Sequence, residues 1–133
     1  MKYLLDTHTF IWTALKTKNL GTNCVKILYS KNYDVYLSTV SFWELSIKIS
    51  LNKFLFQNYK VNDFPQIARN MGFSIIDLQE HESITFHELP PKDNHKDPFD
   101  RMIIWQAITK NMTLISKDDK FEQYKKDGLK LIW

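Results

Sequence analysis

The residues of this chain best suited to chemistry are five carboxylates that lie beside predicted strand ends or helix starts. They are Asp6, Glu44, Asp97, Asp100 and Asp118. Carboxylates that share one place repel one another, and keeping them charged is costly unless a cation lies among them. A divalent cation held in this way activates water and neutralises a phosphate, which is the chemistry of phosphoryl transfer. Whether the five acids meet depends on the elements that carry them.

The apolar pattern predicts a parallel α/β sheet, because short β-prone runs alternate with segments of helical spacing. The runs are Lys2–Leu5, Asp34–Leu37, Phe73–Ile76, Met112–Ile115 and Leu129–Ile132. They are apolar on both faces, as expected for strands covered by helices on each side. Helical faces are predicted at Phe10, Ala14 and Leu15, at Val25, Leu28 and Tyr29, and at Trp43, Ile47 and Leu51. A further helix is predicted to begin at Pro98, and Gln79–Leu89 can form a return helix before it.

Chain direction places three of the acids at one edge of this sheet. In a parallel sheet the carboxyl ends of the strands and the starts of the following helices share the edge where ligands bind. Asp6 ends the first run, Glu44 lies in the first predicted turn of the helix after the second, and Asp118 follows the fourth. Asp97 and Asp100 open the helix that leads into the fourth run, so their place at this edge depends on the return of an irregular loop.

The donor types favour a hard divalent cation. The chain holds one cysteine, Cys24, and four histidines with no ordered pair, so carboxylate oxygen is the ligand on offer. Oxygen ligands suit Mg²⁺ or Mn²⁺ better than zinc. The expected cofactor is therefore Mg²⁺ or Mn²⁺.

An explanation without a metal is also open, because acids at helix starts act as caps. The segment Ser41-Phe42-Trp43-Glu44 fits a capping box, and Asp97 fits an N-cap followed by proline, with Asp100 at the third position. Asp118 fits a cap for the segment 119–126. Caps leave two features unexplained, namely Asp6 at the end of an apolar strand and the recurrence of acids at one edge.

Composition bounds the class of protein. Apolar residues make up 44% and charged residues 25% of the chain, which is typical of a soluble globular protein, and the length predicts a single domain over residues 1–133. One cysteine excludes an internal disulfide framework. The longest unbroken apolar run, Met102–Trp105, is too short to span a membrane, and an acid at position 6 comes too early for a signal-peptide core, so a cytoplasmic domain is expected. The net charge of +3 weakly favours a polyanionic partner.

Four ordered motifs resemble the PIN-domain family, and specifically the VapC-type toxins of bacterial toxin–antitoxin pairs. They are Leu4-Leu5-Asp6-Thr7-His8, Ser41-x-x-Glu44, Asp97-Pro98-Phe99-Asp100-Arg101 and Leu114-Ile115-Ser116-Lys117-Asp118-Asp119-Lys120-Phe121. The resemblance implies a PIN-like α/β/α sandwich with a short parallel sheet of about five strands. It also implies a Mg²⁺- or Mn²⁺-dependent endoribonuclease that hydrolyses RNA, pairs with a cognate antitoxin and forms a homodimer.

The resemblance assigns roles to the acids position by position. The family's four acids match Asp6, Glu44, Asp100 and Asp118, and Asp97 is an additional acid at the metal or a cap. Asp6, Asp100 and Glu44 are expected to hold the metal, directly or through water. Asp118 is expected to hold a second ion or to orient the attacking water.

Residues next to the acids are expected to support them. Thr7 and Ser116 hydrogen-bond the acids or water in this interpretation, unless Thr7 only caps a helix. Arg101 is expected to pair with Asp97 rather than to clamp a phosphate. The histidines are expected to pack or to face solvent, with His95 set apart only by its nearness to an acid.

One pair of residues departs from the family pattern, and one segment of the chain has no clear periodicity. Trp105 and Gln106 stand where the family often has small residues, which leaves the packing of that helix open. The segment Asn52–Asp63 is rich in aromatic residues with little periodicity, and a satellite core is favoured there over an arm that binds a partner. Its large apolar residues are Phe54, Leu55, Phe56 and Tyr59.

Two other classes of protein also fit an acidic edge. A phosphohydrolase or phosphotransfer domain would use the same pocket, but a haloacid-dehalogenase-type enzyme wants an acid where His8 stands. A receiver domain wants a lysine and a last helix after the position where the chain ends. A non-enzymatic binding module would use the acids only as caps, and Mg²⁺ would then leave its melting temperature unchanged.

Overall fold

A computed structural model describes residues 1–53 and 59–133. The five predicted β-prone runs coincide with its five strands, which differ from them by at most one residue at an end. The strands are β1 Lys2–Leu5, β2 Asp34–Ser38, β3 Ser74–Ile76, β4 Thr113–Ile115 and β5 Lys130–Ile132. All pair in parallel in the order β3-β2-β1-β4-β5. The predicted parallel α/β sheet is therefore confirmed.

Six α-helices and four 3₁₀ helices are seen in the described residues. The α-helices are α1 Thr7–Leu15, α2 Thr22–Leu28, α3 Thr39–Ser50, α4 Phe64–Asn70, α5 Glu80–Thr85 and α6 Pro98–Thr109. The 3₁₀ helices are Thr17–Asn19, Val61–Asp63, Phe86–Glu88 and Asp119–Asp127. The predicted return segment Gln79–Leu89 thus contains α5 and a short 3₁₀ helix, with Gln79 as the N-cap of α5.

The order of the strands creates a switch point between β1 and β4. The chain builds β1, β2 and β3 outward in one direction and then returns to the other side of β1 for β4 and β5. In the register of the sheet, Leu5 lies opposite Leu37 of β2 and opposite Ile115 of β4. The residues that follow β1 and β4 therefore leave the sheet side by side, at the point where open α/β sheets bind ligands.

Two apolar cores cover the two faces of the sheet, because neighbouring residues of a strand point to opposite sides. Leu5 and Ile115 pack with one core, which includes Phe10 of α1. Leu4 packs with the other, which includes Ile103 of α6. Full burial of side chains this large contributes about 1.5–3 kcal/mol each, so the two cores hold the strand ends in fixed positions.

The predicted apolar faces of α2 and α3 were wrong. In α3 the buried apolar residues are Val40 and Leu45, while Trp43 is 60% exposed. In α2 the buried residues are Cys24 and Ile27 instead of the predicted set. Both helices carry apolar residues on several sides, so spacing alone allows more than one orientation, and packing against the sheet selects one.

Most of the aromatic segment Asn52–Asp63 lies outside the described residues. Phe54, Leu55 and Phe56 belong to the part that is not described, so their prediction as a core stays a prediction. Tyr59 is described and is exposed. Among the described helices none has the length and apolar character needed to cross a membrane.

Candidate metal centre

Asp6 is buried at the switch point and both of its carboxylate oxygens accept hydrogen bonds. Oδ1 accepts from the backbone N–H of Thr9 at 2.7 Å, which caps α1. Oδ2 accepts from the Ser116 hydroxyl at 2.5 Å, across the junction of β1 and β4. The side chain is 3% exposed, and burial raises the pKa of Asp6 above its ordinary value in spite of these bonds. Contacts with α1 and with the residue after β4 therefore fix the position of the Asp6 carboxylate.

Ser116 links Asp6 to Asp118. The Ser116 hydroxyl oxygen accepts from the backbone N–H of Asp118 at 3.1 Å while its proton goes to Asp6. Asp118 is exposed, and its Oδ1 accepts from the N–H of Lys120 at 3.0 Å, which caps the 3₁₀ helix Asp119–Asp127. The two acids therefore lie on either side of one serine, with Asp118 toward solvent.

Glu44 is placed differently from the sequence prediction. The N-cap of α3 is Ser38, whose hydroxyl accepts from the N–H of Val40, so the predicted capping box from Ser41 to Glu44 is wrong. Since α3 begins at Thr39, Glu44 lies in its second turn, beyond the first turn in which the helix dipole favours acids. The Ser41 hydroxyl instead accepts from the Thr7 hydroxyl at 2.9 Å, which joins α1 to α3.

The side chain of Glu44 is only half satisfied. It is 2% exposed, and its Oε2 accepts from Lys48 Nζ at 2.7 Å. Its Oε1 is buried and has no hydrogen-bond partner in the described part of the chain. A buried carboxylate oxygen without a partner is costly unless a ligand completes it.

Asp97 and Asp100 open α6 as predicted. Asp97 is the N-cap, its Oδ1 accepting from the N–H of Asp100 at 3.0 Å, and Pro98 takes the first helical position. The pKa of Asp100 is raised to about 8, first by burial and then by the negative charges of four other acids. Those acids are Asp97, Glu44, Asp6 and Asp118. The loop before α6 therefore does return to the edge of the sheet, and Asp100 lies within the electrostatic reach of the other four predicted acids.

His95 joins this site, although the sequence set it apart from the other histidines only by its nearness to Asp97. It is 5% exposed, with Nδ1 2.7 Å from the Tyr124 hydroxyl and Nε2 3.3 Å from Oδ2 of Asp100. One ligand atom from each of His95, Asp100 and Asp118 lies within 4.8 Å of the other two. Burial lowers the pKa of His95, which favours a neutral ring. Its position two residues before Asp97 was the one hint in the sequence that His95 belongs to the site. Its hydrogen-bond partner Tyr124 is 29 residues away, so local spacing does not predict the contact.

Arg101 does not pair with Asp97, and that prediction was wrong. Its Nε donates to the Tyr124 hydroxyl at 3.3 Å, and its Nη2 donates to the carbonyl oxygens of Leu89 and Pro90 at 3.0 and 3.1 Å. The spacing of four residues on a helix allowed an ion pair with Asp97, but the buried Tyr124 and the returning loop offer acceptors on the other side. Asp97 acts instead as the N-cap of α6.

A cleft of about 370 Å³ opens beside Asp6 and Asp118. Its other lining residues are His8, Trp12, Lys117 and Asp119. The ammonium of Lys117 lies 5.8 Å from the centre of the Trp12 ring. A cation and an aromatic ring are groups that contact the phosphates and bases of single-stranded nucleic acids.

Comparison with known proteins decides the family. The PIN domain family matches residues 3–127 of the chain. The chain belongs to the PIN domain family. PIN domains are nucleases that use divalent metals, so the family assigns this chain to the hydrolases of nucleic acids. A search of curated proteins found no match.

Solved structures share the fold of this PIN domain. VapBC2 from Rickettsia felis, bound to a DNA fragment from its promoter, is 22% identical with a TM-score of 0.71, covering 99% of this chain and 98% of that one. DNA-bound VapBC from Salmonella typhimurium is 17% identical with a TM-score of 0.65, covering 99% and 97%. A domain of a functionally unknown protein from Methanocaldococcus jannaschii is 16% identical with a TM-score of 0.60, covering 99% and 89%.

The acids of this PIN domain fit a hard divalent cation. Glu44 Oε1 has no hydrogen-bond partner among the described residues, and Asp100, whose pKa is raised first by burial, also feels the negative charges of four other acids. The donors are carboxylate oxygens, which suit Mg²⁺ or Mn²⁺. Lys48 is the cation that contacts Glu44, and it lies on the partly exposed side of α3.

Proposed function

We propose that this PIN domain is a divalent-metal-dependent endoribonuclease and the toxin of a VapC-type toxin–antitoxin pair. The observation that carries the proposal is that Ser116 joins Asp6 to Asp118 at the switch point, while one carboxylate oxygen of Asp118 lies within 4.8 Å of one of Asp100. Caps account for Asp97 and Asp118, and in part for Asp6, but not for Glu44, whose Oε1 is buried without a hydrogen-bond partner in the described part of the chain. A cation bound beside Asp100 would complete this oxygen.

In this proposal Asp6, Glu44 and Asp100 hold Mg²⁺ or Mn²⁺, directly or through water. Asp97 adds negative charge beside them while it caps α6. A divalent cation bound there supplies positive charge that lowers the pKa of water and offsets the charge of the scissile phosphate. The other steps belong to the chain's own side chains.

Asp118 and Lys117 act from the cleft. Because Asp118 is exposed and Ser116 fixes its backbone, its carboxylate can orient the attacking water and take up its proton, or hold a second ion. Lys117 lines the same cleft and offsets the negative charge of an incoming RNA backbone. Ser116 and Thr9 prevent Asp6 from turning away, since each donates to a different carboxylate oxygen.

The proposal includes an antitoxin, a homodimer and a cytoplasmic location. Similar folds were solved as VapBC in two of the structures above, which supports an antitoxin partner for this chain. The homodimer rests on the family resemblance, and light scattering of the purified protein measures it. A dimer mass supports this part of the proposal, and a monomer mass at micromolar concentration contradicts it.

The test is cleavage of transfer, ribosomal and messenger RNA fragments by the purified protein in Mg²⁺, Mn²⁺ or EDTA. We expect discrete cuts that disappear in EDTA and in Asp6→Asn. Asp34→Asn is the matched control, because Asp34 is an exposed acid at the opposite end of the sheet, where β2 begins. Equal cleavage by Asp6→Asn and the unaltered protein would contradict the proposal.

A further inference from the structure

Four side chains form one hydrogen-bonded series that ends on Asp100. Arg101 Nε lies 3.3 Å from the Tyr124 hydroxyl, which lies 2.7 Å from Nδ1 of His95. Nε2 of His95 then lies 3.3 Å from Oδ2 of Asp100. Tyr124 is fully buried and His95 is nearly so, which means that the protons of this series find their acceptors inside the protein.

The direction of the series follows from the chemistry of its members. An arginine N–H only donates, so the Tyr124 oxygen accepts from Arg101. The buried Tyr124 proton then needs an acceptor of its own, and among the described residues the one at hydrogen-bond distance is Nδ1 of His95. In a neutral imidazole that accepts at Nδ1, the proton is on Nε2. Nε2–H therefore points toward the carboxylate of Asp100.

We propose that His95 is a positioning residue that donates to Asp100 and is not itself a ligand of the metal. A ring nitrogen that carries a proton has no lone pair in the ring plane for a cation, so the short distances among His95, Asp100 and Asp118 serve a different purpose. The inference rests on the proposed function only in that Asp100 there holds the cation. The hydrogen bond from His95 would fix the orientation of the Asp100 carboxylate.

The loop before α6 is built to hold this series in place. Arg101 Nη2 donates to the carbonyl oxygens of Leu89 and Pro90, which pins the start of the loop. Lys92 pairs with Asp127 at 2.7 Å, and its ammonium lies 5.2 Å from the centre of the Tyr124 ring. The orientation of His95 is therefore set before any cation binds.

The alternative is that Nε2 of His95 binds the metal. The proton would then be on Nδ1 and would have to be donated to the Tyr124 oxygen, which already accepts from Arg101. The Tyr124 proton would be left without an acceptor in the described part of the chain, and a buried unpaired donor costs about 1–3 kcal/mol. The observed contacts favour donation to Asp100 for this reason.

The first test locates the proton on the ring of His95. Long-range ¹H–¹⁵N correlation spectra of the metal-free protein distinguish the two tautomers, and the spectrum of His95→Gln identifies the signals. We expect the Nε2–H form, and we expect it to persist when Mg²⁺ is added. The Nδ1–H form, or loss of the Nε2 proton on addition of Mg²⁺, would overturn the proposal.

The second test compares His95→Leu with His95→Gln by Mg²⁺ titration in a calorimeter. The glutamine amide can donate to Asp100 where leucine cannot. Loss of an outer hydrogen bond to a metal ligand typically weakens metal binding by about 10–100-fold, and we expect this for leucine and a recovery to within about threefold for glutamine. His81→Leu, at an exposed position of α5, is the control.

The outcomes separate this inference from the proposed function. If Mg²⁺ binds to the unaltered protein and to His95→Leu alike, while Asp100→Asn loses it, the role of His95 is wrong and the metal centre stands. If His95→Gln binds as weakly as His95→Leu with an unchanged melting temperature in EDTA, His95 acts as a ligand. If the unaltered protein binds no Mg²⁺, the proposed function fails, and the tautomer of the metal-free protein still decides whether His95 donates to Asp100.

Discussion

Among the described residues, buried carboxylates occur at the switch point of the sheet and in α5, and the two regions differ in how their negative charges are balanced. Glu82 of α5 is 1% exposed, and its Oε1 accepts from the N–H of Gln79 and from Nε2 of Gln106 at 2.9 and 3.1 Å. Its Oε2 lies 3.4 Å from Nζ of Lys110, as an ion pair without a hydrogen bond. This acid has both its donors and its counter-charge within the fold.

The acids at the switch point lack such a balance. Asp6 and Glu44 are buried almost as deeply as Glu82, but within residues 1–53 and 59–133 the ion-pair partners of the five acids are Lys48 and the ring of His95. The pKa of Asp100 is raised to about 8, first by burial and then by the charges of the four other acids. A buried acid with its own cation indicates a structural role, whereas acids that share too little positive charge indicate a site for an external cation.

The largest expected difference between the regions is in RNA cleavage. Glu44→Gln removes the charge on the unpartnered oxygen, and the loss of several kcal/mol of charge stabilisation should lower the cleavage rate at least about 100-fold. Glu82→Gln should stay within about threefold of the unaltered protein, because Glu82 is not among the acids whose charges act on Asp100. Gel assays at 20 °C on protein shown to be folded measure both cleavage rates. Equal decreases in the two variants would show that the two regions do not differ in their role in cleavage.

In the absence of metal, a substitution at Glu82 should lower the free energy of unfolding more than a substitution at the switch point. Glu82→Ala removes the acceptor of the buried Gln106 amide, and a buried donor left unpaired costs about 1–3 kcal/mol. At pH 7, Asp100→Asn should leave the free energy of unfolding unchanged or higher, since folding no longer has to protonate a buried carboxyl whose pKa is raised to about 8. Urea unfolding in EDTA gives both values. A destabilised Asp100→Asn would mean that this acid is part of the scaffold.

Addition of Mg²⁺ should stabilise the protein by binding to the acids at the switch point and not to Glu82. A cation that binds the folded state alone adds about 2.7 kcal/mol at a hundredfold excess over its dissociation constant. We expect this gain in the unaltered protein and in Glu82→Gln, and its loss in Asp100→Asn. Thermal melting with and without Mg²⁺ measures it, and no gain in the unaltered protein would leave the acids as helix caps.

The smallest expected effect is the dependence of metal-free stability on pH. Because the folded pKa of Asp100 is about 8 and the unfolded one is near 3.8, the folded state holds a proton that the unfolded state has lost. Stability should therefore fall as the pH rises toward and through 8, by up to about 1.4 kcal/mol for each pH unit while that proton stays bound.

Two comparisons make this prediction specific to Asp100. Asp100→Asn should show a flatter profile between pH 7 and 8.5, and saturating Mg²⁺ should flatten the profile of the unaltered protein. The window lies above the ordinary pKa of histidine, where the lowered pKa of His95 no longer affects the balance. A rise in the free energy of unfolding between pH 7 and 8.5 would contradict a raised pKa of Asp100 in the folded protein.

Much of this fold could be predicted from local sequence, because strands and caps depend on neighbouring residues. The five strands were predicted nearly to the residue, and Asp97 was predicted as the N-cap of α6. Trp105 and Gln106, which depart from the family's small residues, were left open. The structure explains them, since Trp105 Nε1 donates to the Thr85 hydroxyl at 3.1 Å and Gln106 completes Glu82.

What the sequence failed to predict depends on pairs of residues far apart in the chain. The exposed position of Trp43 follows from how α3 lies on the sheet, where its ring centre is 5.2 Å from that of Phe99. The partners of Arg101 are a tyrosine 23 residues later and a loop that precedes the helix. Spacing along one helix contains no information about either contact.

The sequence by itself determined that acids would stand at the ends of strands and the starts of helices, since apolar alternation and capping are local. The tertiary structure decided which of those acids lack a counter-charge. It placed Ser116 between Asp6 and Asp118, and it brought His95 to within hydrogen-bond distance of Asp100. It also gave Glu44 Oε1 no hydrogen-bond partner within the residues that the structure describes. Charge balance and hydrogen-bond direction are properties of everything within a few ångströms of a group, and folding alone brings those groups together.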